Sequence, residues 1–231
     1  MHIHGLQKLA MVDYPGQLAA TVFTGGCNLR CPFCHNALLV TRLAETPEIP
    51  EQEVLDFLAS RRGLLDGVVL TGGEPLLQPD AADFLRKVRE LGFAVKLDTN
   101  GCDPARLAEI LNQGLVDYVA MDVKNAPARY AETVGIPGFN PAPVEESIRL
   151  LRKSTVDYEF RTTLVRELHR PEDLDAIAAW LAGAPRYYLQ NFVDSGNLIG
   201  RGYHGFTAEQ LQGFAERVRP FFGAVELRGI D

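Results

Sequence analysis

Three thiols, Cys27, Cys31 and Cys34, stand in a C-x3-C-x2-C spacing within the run Gly25-Gly26-Cys27-Asn28-Leu29-Arg30-Cys31-Pro32-Phe33-Cys34-His35-Asn36. A segment so short can curl around one compact object and present all three thiolates to it. Thiolates are the usual ligands of iron–sulfur clusters. Three of them on a four-iron cluster leave one iron open, much as a catalytic zinc keeps a position for substrate. Gly25 and Gly26 permit close backbone approach, so main-chain N–H groups can face an anionic cluster. A zinc site is the other reading, with Cys102 or His35 as fourth ligand. His35, next to Cys34, is poorly placed to close that tetrahedron. A disulfide framework would spread its cysteines along a shorter chain.

Other polar groups recur where strands should end. In Thr71-Gly72-Gly73-Glu74-Pro75, bare glycines let a ligand touch the backbone and a carboxylate can accept from an ammonium group. The plainer reading is a tight turn with Glu74 near a helix N-terminus. Side chains alternate faces along a strand, so Asp98 and Asn100 of Asp98-Thr99-Asn100-Gly101 project together. Asp122 pairs likewise with Lys124, and Arg161 with Thr163. Gln190 and Asn191 end a sixth such segment. Acid, amide and cation at the C-terminal ends of parallel strands suggest a ligand site. A layer of internal salt bridges is the alternative.

The elements that must position these groups alternate. Strands are expected at Leu18–Thr24, Val68–Thr71, Phe93–Leu97, Tyr118–Val123, Tyr158–Val165 and Tyr187–Phe192, and a short last one at Ala224–Arg228. Helical spacing falls at Glu51–Arg61, Asp80–Leu91, Pro104–Asn112, Pro143–Arg152, Pro171–Leu181 and Thr207–Val218. Ala126–Pro143, rich in Pro and Gly, reads as a long loop. Six strand–helix units imply an α/β fold, an open partial (β/α)6 barrel with a parallel sheet and outer helices. One domain over residues 1–231 is expected, its core about 17–193, with a C-terminal helix and short strand in 207–228. The net charge of −7 argues against a nucleic-acid binder. The longest apolar run, Ala176 to Ala184, is far short of the ~20 residues of a membrane span. The N-terminal stretch has no apolar h-region, so no signal peptide is expected. Together these point to a cytoplasmic enzyme.

The cysteine loop, with Phe33 before its last thiol, resembles the cluster motif of the radical S-adenosylmethionine superfamily. The His35-Asn36 pair and the segment Met11-Val12-Asp13-Tyr14-Pro15-Gly16 narrow the likeness to activating enzymes of glycyl radical enzymes. From about Leu6 to Phe192 the chain is most similar to the longer activating proteins of anaerobic ribonucleoside-triphosphate reductase. Pyruvate formate-lyase activating enzymes are close relatives. The resemblance implies one 4Fe–4S cluster on Cys27, Cys31 and Cys34, its open iron chelated by S-adenosylmethionine. Reductive cleavage would give a 5′-deoxyadenosyl radical that takes hydrogen from a glycine of a partner enzyme.

The same resemblance assigns residues. Gly72, Gly73 and Glu74 would bind the methionine end, and Asp122 and Lys124 the ribose or carboxylate. Asn36, Asp98, Thr99, Asn100, Arg161, Thr163, Gln190 and Asn191 would complete the cofactor site. A monovalent cation is expected near Asp98 and Asp122, with Thr99 as a further ligand. Gln190 and Asn191 stand where lyase-activating relatives often carry a histidine, which favours the reductase branch. No cysteines remain for a ferredoxin-like insert. Cys102 reads as a small buried hydrophobe. His2, His4, His169 and His204 fit no motif. Tyr130, Arg129 and Arg166 read as a solvated face, or else one toward a protein substrate. The implied partners are a glycyl radical enzyme and a flavodoxin or ferredoxin donor, with neither nucleic acid nor membrane. A radical enzyme acting on a small molecule or nucleoside, and a zinc-binding structural protein, are the alternatives.

Overall fold

The computed structural model describes residues 1–230. Eight strands form one sheet in chain order: β1 (Ile3–Ala10), β2 (Ala19–Thr24), β3 (Gly67–Gly72), β4 (Ala94–Thr99), β5 (Tyr118–Asp122), β6 (Asp157–Leu164), β7 (Arg186–Asn191) and β8 (Ala224–Arg228). β1 is antiparallel to β2, and every later neighbour is parallel. The helices are α1 (Ala37–Thr41), α2 (Glu51–Ala59), α3 (Ala81–Glu90), α4 (Pro104–Asn112), α5 (Tyr130–Thr133), α6 (Ala142–Lys153), α7 (Pro171–Leu181) and α8 (Ala208–Val218). The six expected strand–helix units are present. The sheet curls without closing, an open partial α/β barrel.

Two features depart from expectation. β1 was not anticipated, because only Ile3 and Ala10 of its eight residues are buried and no apolar run marks it. It pairs along the edge of β2, so the flanked barrel has eight strands. The stretch 126–143 is not all loop: a 3-10 turn at Pro127–Arg129 leads into α5. Tyr130 anchors that turn, fully buried and stacked on Phe139 at 5.4 Å. It therefore belongs to the core and offers nothing to a protein substrate.

The helices sit where their apolar stripes demand. Phe84, Leu85 and Val88 of α3, and Leu174, Ile177 and Leu181 of α7, join the core outside the sheet. Proline at the first turn of α4 and α7 forgoes a donor that would be unpaired anyway. Asp103 caps α4 by accepting from the Arg106 amide at 3.0 Å. Inside the curl the chemistry differs. Tyr14, Ala19, Val69, Tyr118 and Ala120 make a small separate apolar cluster. Of Met11–Gly16 only Tyr14 is buried in that cluster, against Tyr118, while Asp13 accepts from the Thr21 hydroxyl at 2.6 Å and Met11 and Val12 stay exposed. The inward positions nearer the C-terminal ends of β4 to β6 are charged. Among the described residues no helix is long and apolar enough to cross a membrane.

Candidate active site

A cavity of about 230 Å³ opens at the C-terminal ends of the parallel strands, the rim where such folds place ligands. The cysteine loop that follows β2 walls one side. The ends of β3 to β7 wall the other. Cys27, Cys31 and Cys34 all line it as free thiols. So do Asn36, Gly72, Gly73, Glu74, Asp98, Thr99, Asn100, Asp122, Lys124, Arg161, Thr163 and Gln190. Asn191 does not. It follows Gln190 and faces the other side of β7, where its amide both donates to and accepts from the Phe206 backbone, at 3.0 and 2.9 Å.

The thiol loop is held by its backbone. The Arg30 amide donates to the Val134 carbonyl at 2.9 Å, and the Gly200 amide donates to the Pro32 carbonyl at 2.7 Å. Cys31 is buried, while Cys27 and Cys34 are half-buried. Burial pushes the Cys27 thiol up to about 11 and Cys31 up to about 12, so both are protonated until a positive centre arrives. The Leu29 amide and the Asn100 carboxamide donate to the Cys27 sulfur at 3.3 and 3.8 Å. Cys102 lies outside this lining, its amide on Asn100 Oδ1 at 2.9 Å. His35 lines the cavity but stacks on Phe192, with Nε2 2.8 Å from the Val193 carbonyl oxygen. Neither candidate fourth zinc ligand therefore completes a set with the thiols. Among the described residues, no three His, Cys, Asp or Glu side chains converge closely enough for one metal ion.

Gly72 and Gly73 are glycines for a reason other than ligand access. A Cβ on Gly73 would lie 1.8 Å from the Gly26 carbonyl oxygen, and one on Gly72 would lie 2.2 Å from the Thr24 amide nitrogen. The Gly72 φ of +124° adds a backbone demand. The two glycine-rich turns are fastened face to face, with the Glu74 amide on the Gly26 carbonyl at 2.8 Å and the Gly73 amide on the Thr24 carbonyl at 2.9 Å. Asn36 extends the clasp by donating to the Gly72 carbonyl at 2.9 Å.

Glu74 is 2 % exposed and already bonded. Its Oε1 accepts from the Thr99 hydroxyl at 2.7 Å and the Leu76 amide at 3.1 Å, and its Oε2 accepts from the Asn100 amide at 2.7 Å. One acceptor position remains on Oε2. Burial pushes this carboxyl up to about 7 against the pull of those donors.

Opposite the loop runs a chain of alternating charge. Lys96 pairs with Asp98 Oδ1, and Arg161 Nη1 reaches Asp98 Oδ2 at 3.1 Å. Arg161 Nε donates to Asp122 Oδ1 at 2.8 Å, and Lys124 Nζ donates to Asp122 Oδ2 at 3.0 Å. Three cations meet two anions. Arg161 and Lys124 hold the Asp122 carboxyl well below the usual carboxylate range, and Asp122 in turn raises both partners. Sequence reasoning found four of the five and missed Lys96, which is 1 % exposed. Its place two residues before Asp98 was the available signal. Elsewhere, Arg129 pairs with Asp173 at 2.8 Å and with Glu132. His169 is buried, with Nε2 on the Lys124 carbonyl at 2.8 Å, a fastening for that strand end.

The Radical SAM superfamily profile matches residues 21–181, well over half of the chain. A Methanocaldococcus jannaschii protein assigned as a glycyl-radical enzyme activating enzyme is 36% identical over 197 residues, covering 82% of this chain and 79% of that protein. The pyruvate formate-lyase-activating enzyme of Clostridium pasteurianum is 35% identical over 128 residues, 53% of this chain and 52% of that enzyme. Among solved structures, Streptococcus suis SuiB bound to S-adenosylmethionine superposes with a TM-score of 0.70 at 16% identity, over 88% of this chain. This chain spans 48% of SuiB, and that likeness speaks for the fold alone. The superfamily match over residues 21–181 implies a 4Fe–4S cluster and S-adenosylmethionine. The donor set fits both groups: three unpaired thiols on one wall, and acids, amides and cations on the other. This enzyme belongs to the radical SAM superfamily.

Proposed function

We propose that the chain is an activase that installs a glycyl radical on a partner enzyme. The observation that carries the reading is one cavity walled on one side by three free thiols without a fourth and on the other by a strand-borne polar layer. Similarity to the M. jannaschii protein over most of both lengths supports the choice of a protein substrate.

In this reading Cys27, Cys31 and Cys34 hold the cluster, giving up protons as they bind. The cluster and S-adenosylmethionine together supply hydrogen-abstracting radical chemistry; the protein supplies placement and a dry site. Glu74 offers its remaining Oε2 acceptor position to the ammonium of the methionine end. Lys124 and Arg161, on the side with excess positive charge, face its carboxylate. Asn36, Thr163 and Gln190 serve as further polar contacts. Thr99 acts indirectly, by orienting Glu74. The Asn100 side-chain carboxamide donates toward Cys27, a bond of the kind that tunes cluster potential. The unclosed sheet leaves an entrance for a segment of another protein. We assign the anaerobic ribonucleoside-triphosphate reductase as partner, with a flavodoxin or ferredoxin as donor. Gln190 in the place of a histidine supports that branch.

The test is anaerobic purification, iron and sulfide analysis, then incubation with reductant and S-adenosylmethionine, with and without the reductase subunit. A glycine-centred EPR doublet that requires both proteins is the expected result. Stoichiometric zinc without sulfide would sink the cluster. Modification of a small molecule with no doublet would instead assign the radical chemistry to that substrate.

A further inference from the structure

The paired carboxylates Asp98 and Asp122 are the expected seat of a monovalent cation, with the Thr99 hydroxyl beside them. The structure spends those ligands otherwise. Every oxygen of the two acids already faces a cationic side chain: those of Asp98 face Lys96 and Arg161, and those of Asp122 face Arg161 and Lys124. The Thr99 hydroxyl donates to Glu74 at 2.7 Å and accepts from the Gly101 amide at 3.1 Å. The further acid acting on Arg161, buried Glu159, has Arg228 at 3.6 Å, so a bound alkali-metal ion would enter a group that already carries four positive charges against three negative ones. We infer that this chain has built the cation into its own sequence: the Lys96 ammonium stands at Asp98 in place of a bound ion, and the site works without sodium or potassium.

Lys96 is suited to that role by position. It rises from β4 two residues before Asp98, on the same face, and is among the largest fully buried side chains of the molecule. A lysine so buried is retained only with a partner, and Asp98 is the partner it has. Its long stem places the charge beneath the carboxylate, and the apolar floor around Tyr14, Val69 and Ala120 lies nearby in the same interior. It is a positioning residue. It holds Asp98, which holds Arg161, and Arg161 holds Asp122.

The inference uses the cofactor reading for only one arm of its test. Anaerobically reconstituted protein is measured in potassium chloride and in choline chloride of equal ionic strength, by thermal unfolding and by S-adenosylmethionine binding. Crystals soaked in thallium(I) are examined for anomalous scattering between Asp98 and Asp122. The wild type is expected to unfold at the same temperature in both salts, to bind equally within about twofold, and to show no thallium peak. Lys96→Met strands a carboxylate oxygen, so this variant is expected to acquire cation dependence, with binding about tenfold weaker in choline and recovered by potassium. A wild type that loses stability or binding in choline, or a thallium peak between the two acids, overturns the inference. Absence of S-adenosylmethionine binding in every salt would instead count against the proposed function. The thermal and thallium arms then still decide the cation question. Should Lys96→Met not fold, the wild-type measurements decide it alone.

Discussion

The two walls of the cavity are built on opposite plans. The cysteine loop is shaped by main-chain bonds and glycine contacts, and its thiols are left unpaired toward the cavity. On the strand-borne wall the charged side chains from β4 to β6 are already answered by one another. One wall is completed by what it binds; the other is complete beforehand. Groups that must bond iron need free valence, whereas groups that orient a nucleotide gain from being fixed before it arrives.

Breaking the loop wall should cost function without the fold. Cys31→Ala is expected to lose all cluster iron and all S-adenosylmethionine cleavage while its far-UV circular dichroism stays native, since a chain this size does not rely on a metal to collapse. Retained turnover would refute the ligand assignment. Gly73→Ala tests the seam between the walls. Its Cβ would collide with the Gly26 carbonyl oxygen, so a loss of about 3 kcal/mol is expected from urea titration, the upper end of overpacking, together with lowered iron content. Normal stability and iron would mean that the two turns are not clasped.

The opposite wall should respond in stability first. Asp122→Asn leaves Arg161 and Lys124 short of a counter-charge. A loss of about 2 kcal/mol is expected, below the ~3–5 of a fully buried pair because the Asp122 side chain is 32% exposed. A denaturation midpoint equal to wild type would show that the ion chain is ornamental. Glu74, between the two, should show itself through pH. Its folded carboxyl titrates at about 7 and its ordinary value is 4.5. The folded state therefore holds the proton more tightly than the unfolded state. The stability due to neutral Glu74 is complete below 4.5 and is lost as pH rises through 7. Urea midpoints from pH 4.5 to 8 should fall more steeply for wild type than for Glu74→Gln; parallel slopes would remove Glu74 as the titrating group.

Much of the site was legible as pattern. The thiol spacing is local, and the pairs Asp98–Asn100, Asp122–Lys124 and Arg161–Thr163 follow from the two-residue repeat of a strand. The same repeat separates Gln190 from Asn191, which were read together although adjacent strand residues face opposite sides. β1 escaped because an edge strand with two buried positions has no apolar signature. Tyr130 was misread because a buried tyrosine and an exposed one look alike in a loop-like composition. Lys96 escaped because a lysine is expected in water.

What the sequence alone determined is whatever depends on neighbours along the chain: the three-thiol loop, the alternation of strands and helices, and the inward or outward side of each strand residue. Only the tertiary structure decided which groups were already spoken for. Glu74 meets Asn100 across 26 residues and Arg161 meets Asp98 across 63. A hydrogen bond or ion pair over such separations leaves no mark in local spacing; it forms because the sheet brings distant strand ends within ångströms of each other.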